Sequence, residues 1–275
     1  MANNSINTNI GALVALQNLN TTAATLAQTQ NQISTGLAVA NATDNGAVWN
    51  IAQNSRATVS ALDSVKSSLQ RAQSTVSVAV SAGQTISDLL NQIKTNVLAG
   101  TDTSLDTTSR SSLNQTTQAL VQQVVKIVSN ATFNNVNLIK TGGTTLQALA
   151  NTTGSKFTVA AASLQVGGAN ITFTANASFT TATTANTLLS LVNTSITNVN
   201  AATAKFGTAS NALTTHLNFI STLQDTLTAG VGNLVDADVA KVSAQLTALQ
   251  TKQQLGIQSL AIANSSKSAL LGLFR

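Results

Sequence analysis

The sequence predicts a mainly α-helical protein in which long helices from the two termini pair as a coiled coil, with a small β insert mid-chain. Three observations carry this expectation. Both ends bear apolar stripes whose spacing alternates strictly four and three. Proline is absent from all 275 residues. One stretch in the middle switches to alternating apolar and polar residues.

The N-terminal stripe runs Ala12, Leu16, Leu19, Ala23, Leu26, Gln30, Ile33, Leu37. The C-terminal one runs Val235, Val239, Val242, Leu246, Leu249, Gln253, Gly256, Leu260, Ala263, Lys267, Leu270, Phe274. Such alternation averages about 3.5 residues, the repeat of a coiled-coil seam. Gln253, Gly256, Ala263 and Lys267 make the second seam patchier. Matching seams at both ends predict that the ends meet, on a surface able to bind further copies.

A third seam runs Leu62, Val65, Leu69, Ala72, Val76, Ala79, Gly83, Ile86, Leu90, Ile93, Val97. At about 1.5 Å per residue, roughly forty residues make a rod of about 60 Å. Gly100-Thr101-Asp102-Thr103-Ser104 reads as a loop, followed by a helix carrying Leu113, Leu120, Val124 and Ile127. Thr43-Asp44-Asn45-Gly46 is a turn signal between the first helix and the third seam.

Between Lys156 and Phe179 the alternating runs Phe157-Thr158-Val159 and Ile171-Thr172-Phe173-Thr174 predict strands, with Gly167-Gly168 as a hairpin turn. Helix returns near Leu188 and includes Val192, Val199, Phe206, Leu213 and Ile220. Gly230 and Gly232 are expected to break it before a final helix starts near Asp236 and Asp238, acids suited to a helix N-terminus. The layout is nested, with two helical halves around a β middle.

Lack of proline suits long helices, since an interior proline costs about 3 kcal/mol. The many Thr and Asn residues are mediocre helix formers, so these helices depend on packing. The terminal arms are therefore expected to be poorly ordered in the monomer and to become helical on assembly.

Charged residues are only 8% of the chain, against a usual figure of about 25%. All eight acids are Asp, and Asp44 is the only charge between Met1 and Ser55. Such a surface gives up the repulsion that keeps copies apart. The net charge of +5 is dispersed and aromatics are 3%, which argues against nucleic-acid binding. Cysteine is absent, so disulfides and thiolate metal sites are excluded. No run approaches the roughly 18 apolar residues of a membrane span, and a cleavable signal pattern is not expected.

His216 is the sole histidine, which excludes a multi-histidine metal site and marks it as an ordinary helix residue. Asp236 and Asp238 read as helix-start acids rather than a metal pair. Trp49 is either an anchor beyond the Asn45-Gly46 turn or a plain buried aromatic. Gly167-Gly168 lacks the context of a phosphate loop. No nucleophile and base come together, so no catalytic residue and no cofactor is expected.

Several segments are similar to those of bacterial flagellins: Ser5-Ile6-Asn7-Thr8-Asn9, Leu16-Gln17-Asn18-Leu19-Asn20, Ile33-Ser34-Thr35-Gly36-Leu37, Ala40-Asn41-Ala42-Thr43-Asp44-Asn45-Gly46-Ala47 and Phe133-Asn134-Asn135-Val136. Near the other end the resemblance rests on Val235-Asp236-Ala237-Asp238-Val239-Ala240, Gln253-Gln254-Leu255-Gly256 and Leu260-Ala261-Ile262-Ala263-Asn264. It covers roughly residues 1–140 and 186–275 and leaves out the middle.

The resemblance implies a structural subunit that self-polymerises into the extracellular flagellar filament for motility. It implies export of the unfolded chain through the flagellum's own channel, without a cleavable signal peptide. Partners implied are further copies, an export chaperone, and the cap and junction proteins. Residues 1–44 and 236–275 would form an inner coiled-coil layer, its seam including Leu16, Leu19, Leu26, Ile33, Leu246, Leu249, Leu260 and Leu270. Residues 45–140 and 186–235 would form a helical rod layer, and 141–185 a small surface-exposed β element. Two other functions remain open on the sequence: a hook–filament junction protein with similar termini, and a cell-surface module binding an acidic polysaccharide.

Overall fold

A computed structural model describes residues 8–272, with side chains described as far as Ser265. Its elements run α1 (Ile10–Thr35), α2 (Gly46–Gly100), α3 (Thr107–Asn130), β1 (Leu146–Leu149), β2 (Lys156–Val159), α4 (Ala182–Val235) and α5 (Val239–Gly272). Mainly helical with a small β insert, this is the fold class the sequence predicts. The chain forms two compact units, a terminal unit of Met1–Ala57 with Thr226–Arg275 and a central unit of Thr58–Asp225. Both α2 and α4 contribute to each.

In the central unit the third seam is the core. Leu62, Val65, Leu69, Ala72, Val76, Ala79, Ile86, Leu90, Ile93 and Val97 are all buried. Antiparallel α4 lies alongside: Gln224 Nε2 donates to Asp63 Oδ1 at 2.7 Å, Gln73 Nε2 to Ser210 Oγ at 2.7 Å, and Ser87 Oγ to Asn200 Oδ1 at 2.8 Å. At Gly83 any Cβ would overlap Thr203, so the helices approach where side chains are smallest. From α4, Val192, Val199, Phe206, Leu213 and Ile220 complete the buried layer.

The loop after Gly100 falls where the sequence places it. Asp106 caps α3 by accepting from Ser109 N at 2.6 Å. Arg110, buried on α3, donates Nε to Gly100 O at 3.1 Å and Nη2 to Asp102 O at 2.6 Å, satisfying carbonyls left open at the end of α2. Hydrogen bonds from the Ser104 amide, then its hydroxyl, hold the Asp102 carboxyl below its usual range, with the Arg110 charge adding to this. The Ser109 amide and hydroxyl do the same for Asp106.

Two expectations are corrected here. The sheet is not a hairpin about Gly167-Gly168. It pairs β1 with β2, antiparallel, with Leu146 opposite Val159 and Leu149 opposite Lys156. Gly167 and Gly168 do form a turn, but only an isolated parallel bridge joins Val166 to Ile171 beyond it. Ile171, Phe173 and Phe179 are instead buried in the core of the central unit, where packing outweighs strand propensity. Nor do Gly230 and Gly232 break α4, which continues to Val235. A helical glycine costs only about 1 kcal/mol relative to alanine, and burial of Val231 and Val235 offsets that.

His216 holds the hairpin to α4, its Nε2 donating to Ala150 O at 2.7 Å between the rings of Phe157 and Phe219. Ser68 Oγ on α2 accepts from Leu149 N at 3.0 Å. The histidine is thus a structural helix residue.

Candidate functional site

The seam residues lie in the terminal unit, where α1 packs against α5. The pairing is antiparallel and anchored at both ends. At one end Asn9 caps α1, accepting from Ala12 N at 3.0 Å, while its Nδ2 donates across to Ala263 O at 2.9 Å. At the other, α1 stops at Gly36, whose φ of 71° is a left-handed conformation that suits glycine. Gly36 O accepts from Ala237 N at 2.8 Å, and Val235 O accepts from Ala38 N at 2.7 Å. Leu37 bridges Asp236, and α5 then starts with Asp238 Oδ1 accepting from Lys241 N at 3.1 Å. Ala52, Val231 and Val235 form a small buried cluster flanked by Leu37, Val39 and Val48, while Trp49 is half-buried.

Along α5 the least exposed positions are Val242, Leu246, Leu249, Gln253, Gly256, Leu260 and Ala263, all on the predicted stripe, whereas Val239, also on it, is 51% exposed. Gly256 matters because a Cβ there would stand 3.2 Å from Leu19 Cδ1, so Leu19 fills the space a side chain would take. Leu270 lies outside the described side chains, as do Lys267 and Phe274.

On α1 the stripe differs at three of its positions, Leu16, Ala23 and Gln30, which are exposed. The covered residues are Ala12, Ala15, Leu19, Thr22, Thr25, Leu26, Thr29, Gln32 and Ile33. Leu19, Leu26 and Ile33 are among the covered positions, whereas Leu16 is 43% exposed. Thr22 and Thr29 take positions that the sequence suggests for Ala23 and Gln30. Their hydroxyls donate to Asn18 O and Thr25 O, each at 2.8 Å, so the polar atom is satisfied within the helix. A threonine bonded this way can pack its methyl like a small apolar residue.

Leu16 belongs to a second apolar surface with Ile10, Leu13 and Val14, all exposed. Exposed Leu255 and Ile262 give α5 a second apolar surface too, and Ile257 is exposed on another side of the helix. Sequence reasoning missed these outward positions, because a single-stripe reading assigns apolar residues to one face. Their signal was the run Ile10, Leu13, Val14, Leu16, too wide for one seam. Two paired helices that bury one face and leave apolar residues on another have the anatomy of an assembly subunit, for which an exposed apolar patch marks an interaction site.

Comparison with known proteins agrees with that class. The family model described as the bacterial flagellin N-terminal helical region matches residues 6–144, and the bacterial flagellin C-terminal helical region matches 189–274. Flagellin FljO of Caulobacter vibrioides is 52% identical over the full length of both chains. A flagellin of Brucella melitensis is 35% identical, covering 98% of this chain and 99% of its own. The crystal structure of Bacillus cereus flagellin shares the fold, with a TM-score of 0.50 and 21% identity over 56% of this chain and 88% of that one.

The chain belongs to the bacterial flagellins. It is a structural subunit that self-polymerises into the extracellular filament of the flagellum. Among the described residues no helix is long and apolar enough to cross a membrane.

Proposed function

We propose that the filament is built inside-out from the nested layout, with residues 1–44 and 236–275 in an inner coiled-coil layer. Residues 45–140 and 186–235 form the surrounding rod, and 141–185 lie at the outer surface. The single supporting observation is the antiparallel α1–α5 pair, which buries Leu26 and Leu249 and partly covers Leu19 on one face while keeping apolar residues on another. Leu16, Leu19, Leu26, Ile33, Leu246, Leu249, Leu260 and Leu270 act together as the assembly seam, with exposed Leu16 contributing to contacts between copies. The subunit works without catalysis.

Before assembly the same helices are covered by an export chaperone. The chain passes the flagellum's own channel and adds beneath the cap, above the junction proteins. Burial of outward apolar area at about 25 cal/mol per Å² supplies the driving force. The test is Leu260→Asp combined with Leu270→Asp, followed by seeding with filament fragments and electron microscopy. The expected result is a soluble monomer that forms no filaments. Normal filaments from this variant refute the seam assignment.

A further inference from the structure

We propose that in the filament the Asp44 carboxylate of one copy receives the Lys252 ammonium of a neighbouring copy. The proposal rests on the filament role and adds a specific polar contact to it. Asp44 is the only charge in the first 55 residues. It lines a groove of about 550 Å³ with Gln28, Asn31, Gln32 and Asn41. The groove contains no cation to balance the carboxylate, and its remaining polar groups are amides and hydroxyls. Asp44 Oδ2 accepts from Ala40 N at 3.0 Å and Asn41 N at 3.1 Å, which fixes the carboxylate in place. Among the described residues Oδ1 takes no hydrogen bond. An ammonium carries three donors, and here it meets a carboxylate oxygen among amide carbonyls that can accept the others.

The occupant is argued from charge. Between Val239 and Gly272, α5 holds Lys241, Lys252 and Lys267 and no acid, and α1 has no charge at all. Lys241 has Asp238 three residues away, at the cap of its own helix. Lys252 is exposed midway along α5, with no acid on either helix of the pair. Polymerisation removes water from these helices, and a charge desolvated without a partner is costly. One contact between copies neutralises both isolated charges. It is heterologous, joining different surfaces of two copies, and so can repeat without closing.

The test is a double-mutant cycle on seeded elongation, reading the monomer concentration at which growth stops. Asp44→Asn keeps an acceptor oxygen for the Ala40 and Asn41 amides, and Lys252→Gln keeps a long polar side chain. Circular dichroism of each monomer checks that folding is unchanged. Each single variant should raise the critical concentration by about tenfold, and the double variant by no more than either single, because paired groups are not additive. Two results overturn the pairing: single variants that elongate like the parent, or a double variant whose penalty is the product of the two singles. Elongation by the parent chain on the same seeds tests the filament role separately, so failure of one is not failure of the other.

Discussion

The terminal and central units are built from helices of the same poor composition, yet they finish their cores differently. In the central unit the whole stripe from Leu62 to Val97 is buried against α4 and its neighbours. In the terminal unit α1 and α5 cover only one face of each other, and Leu13, Leu255, Ile257 and Ile262 are more than half exposed. Periodicity does not distinguish the units, since both follow a coiled-coil repeat. What distinguishes them is how many elements each stripe meets. The central stripe is covered within one chain, and on the proposed filament role the terminal unit is completed by other copies.

The largest expected effect breaks that asymmetry on the terminal side. Leu255→Asp with Ile262→Asp places charge on one outward, more than half-exposed face of α5. Filaments should be abolished in seeded electron microscopy, while the thermal midpoint of the monomer stays unchanged. Next is Leu90→Ala in the central unit, which should lower stability by about 2–5 kcal/mol through lost burial and a cavity, read by denaturant unfolding. Seeded growth should continue below the lowered midpoint.

The smallest effect concerns pH. Hydrogen bonds from Ser109 depress the Asp106 carboxyl below its unfolded value of 3.8. Its support for the start of α3 is therefore present above that pH and fades as pH falls through the lower folded value. The Ser109 amide resonance should shift only in that acidic window. In Asp106→Asn, which retains an acceptor but cannot titrate, the shift should disappear.

Sequence alone made the α5 stripe readable because its seam residues and its outward apolar residues stay in separate registers. On α1 the pattern misplaces three positions, Leu16, Ala23 and Gln30. Leu16 is large and apolar, and Thr22 looks polar until its hydroxyl is seen bonded to Asn18 O. The abundance of threonine, which on propensity alone counts against helices, is accommodated by the same internal bonds at Thr21, Thr25, Thr29 and Thr35. Strand β1, Leu146–Leu149, lacks β-branched residues, and its pairing depends on β2 and on contacts from Ser68 and His216 that lie far away in sequence. Local pattern carries no trace of those partners.

The most direct test of the central claim is amide hydrogen exchange measured on verified monomer and on filaments of the same chain. Slow exchange is expected across 62–97 and 188–220 in both states. Exchange across 10–35 and 239–265 should be fast in the monomer and strongly slowed in the filament. Slow exchange throughout both terminal helices in the monomer, unchanged on polymerisation, would contradict it.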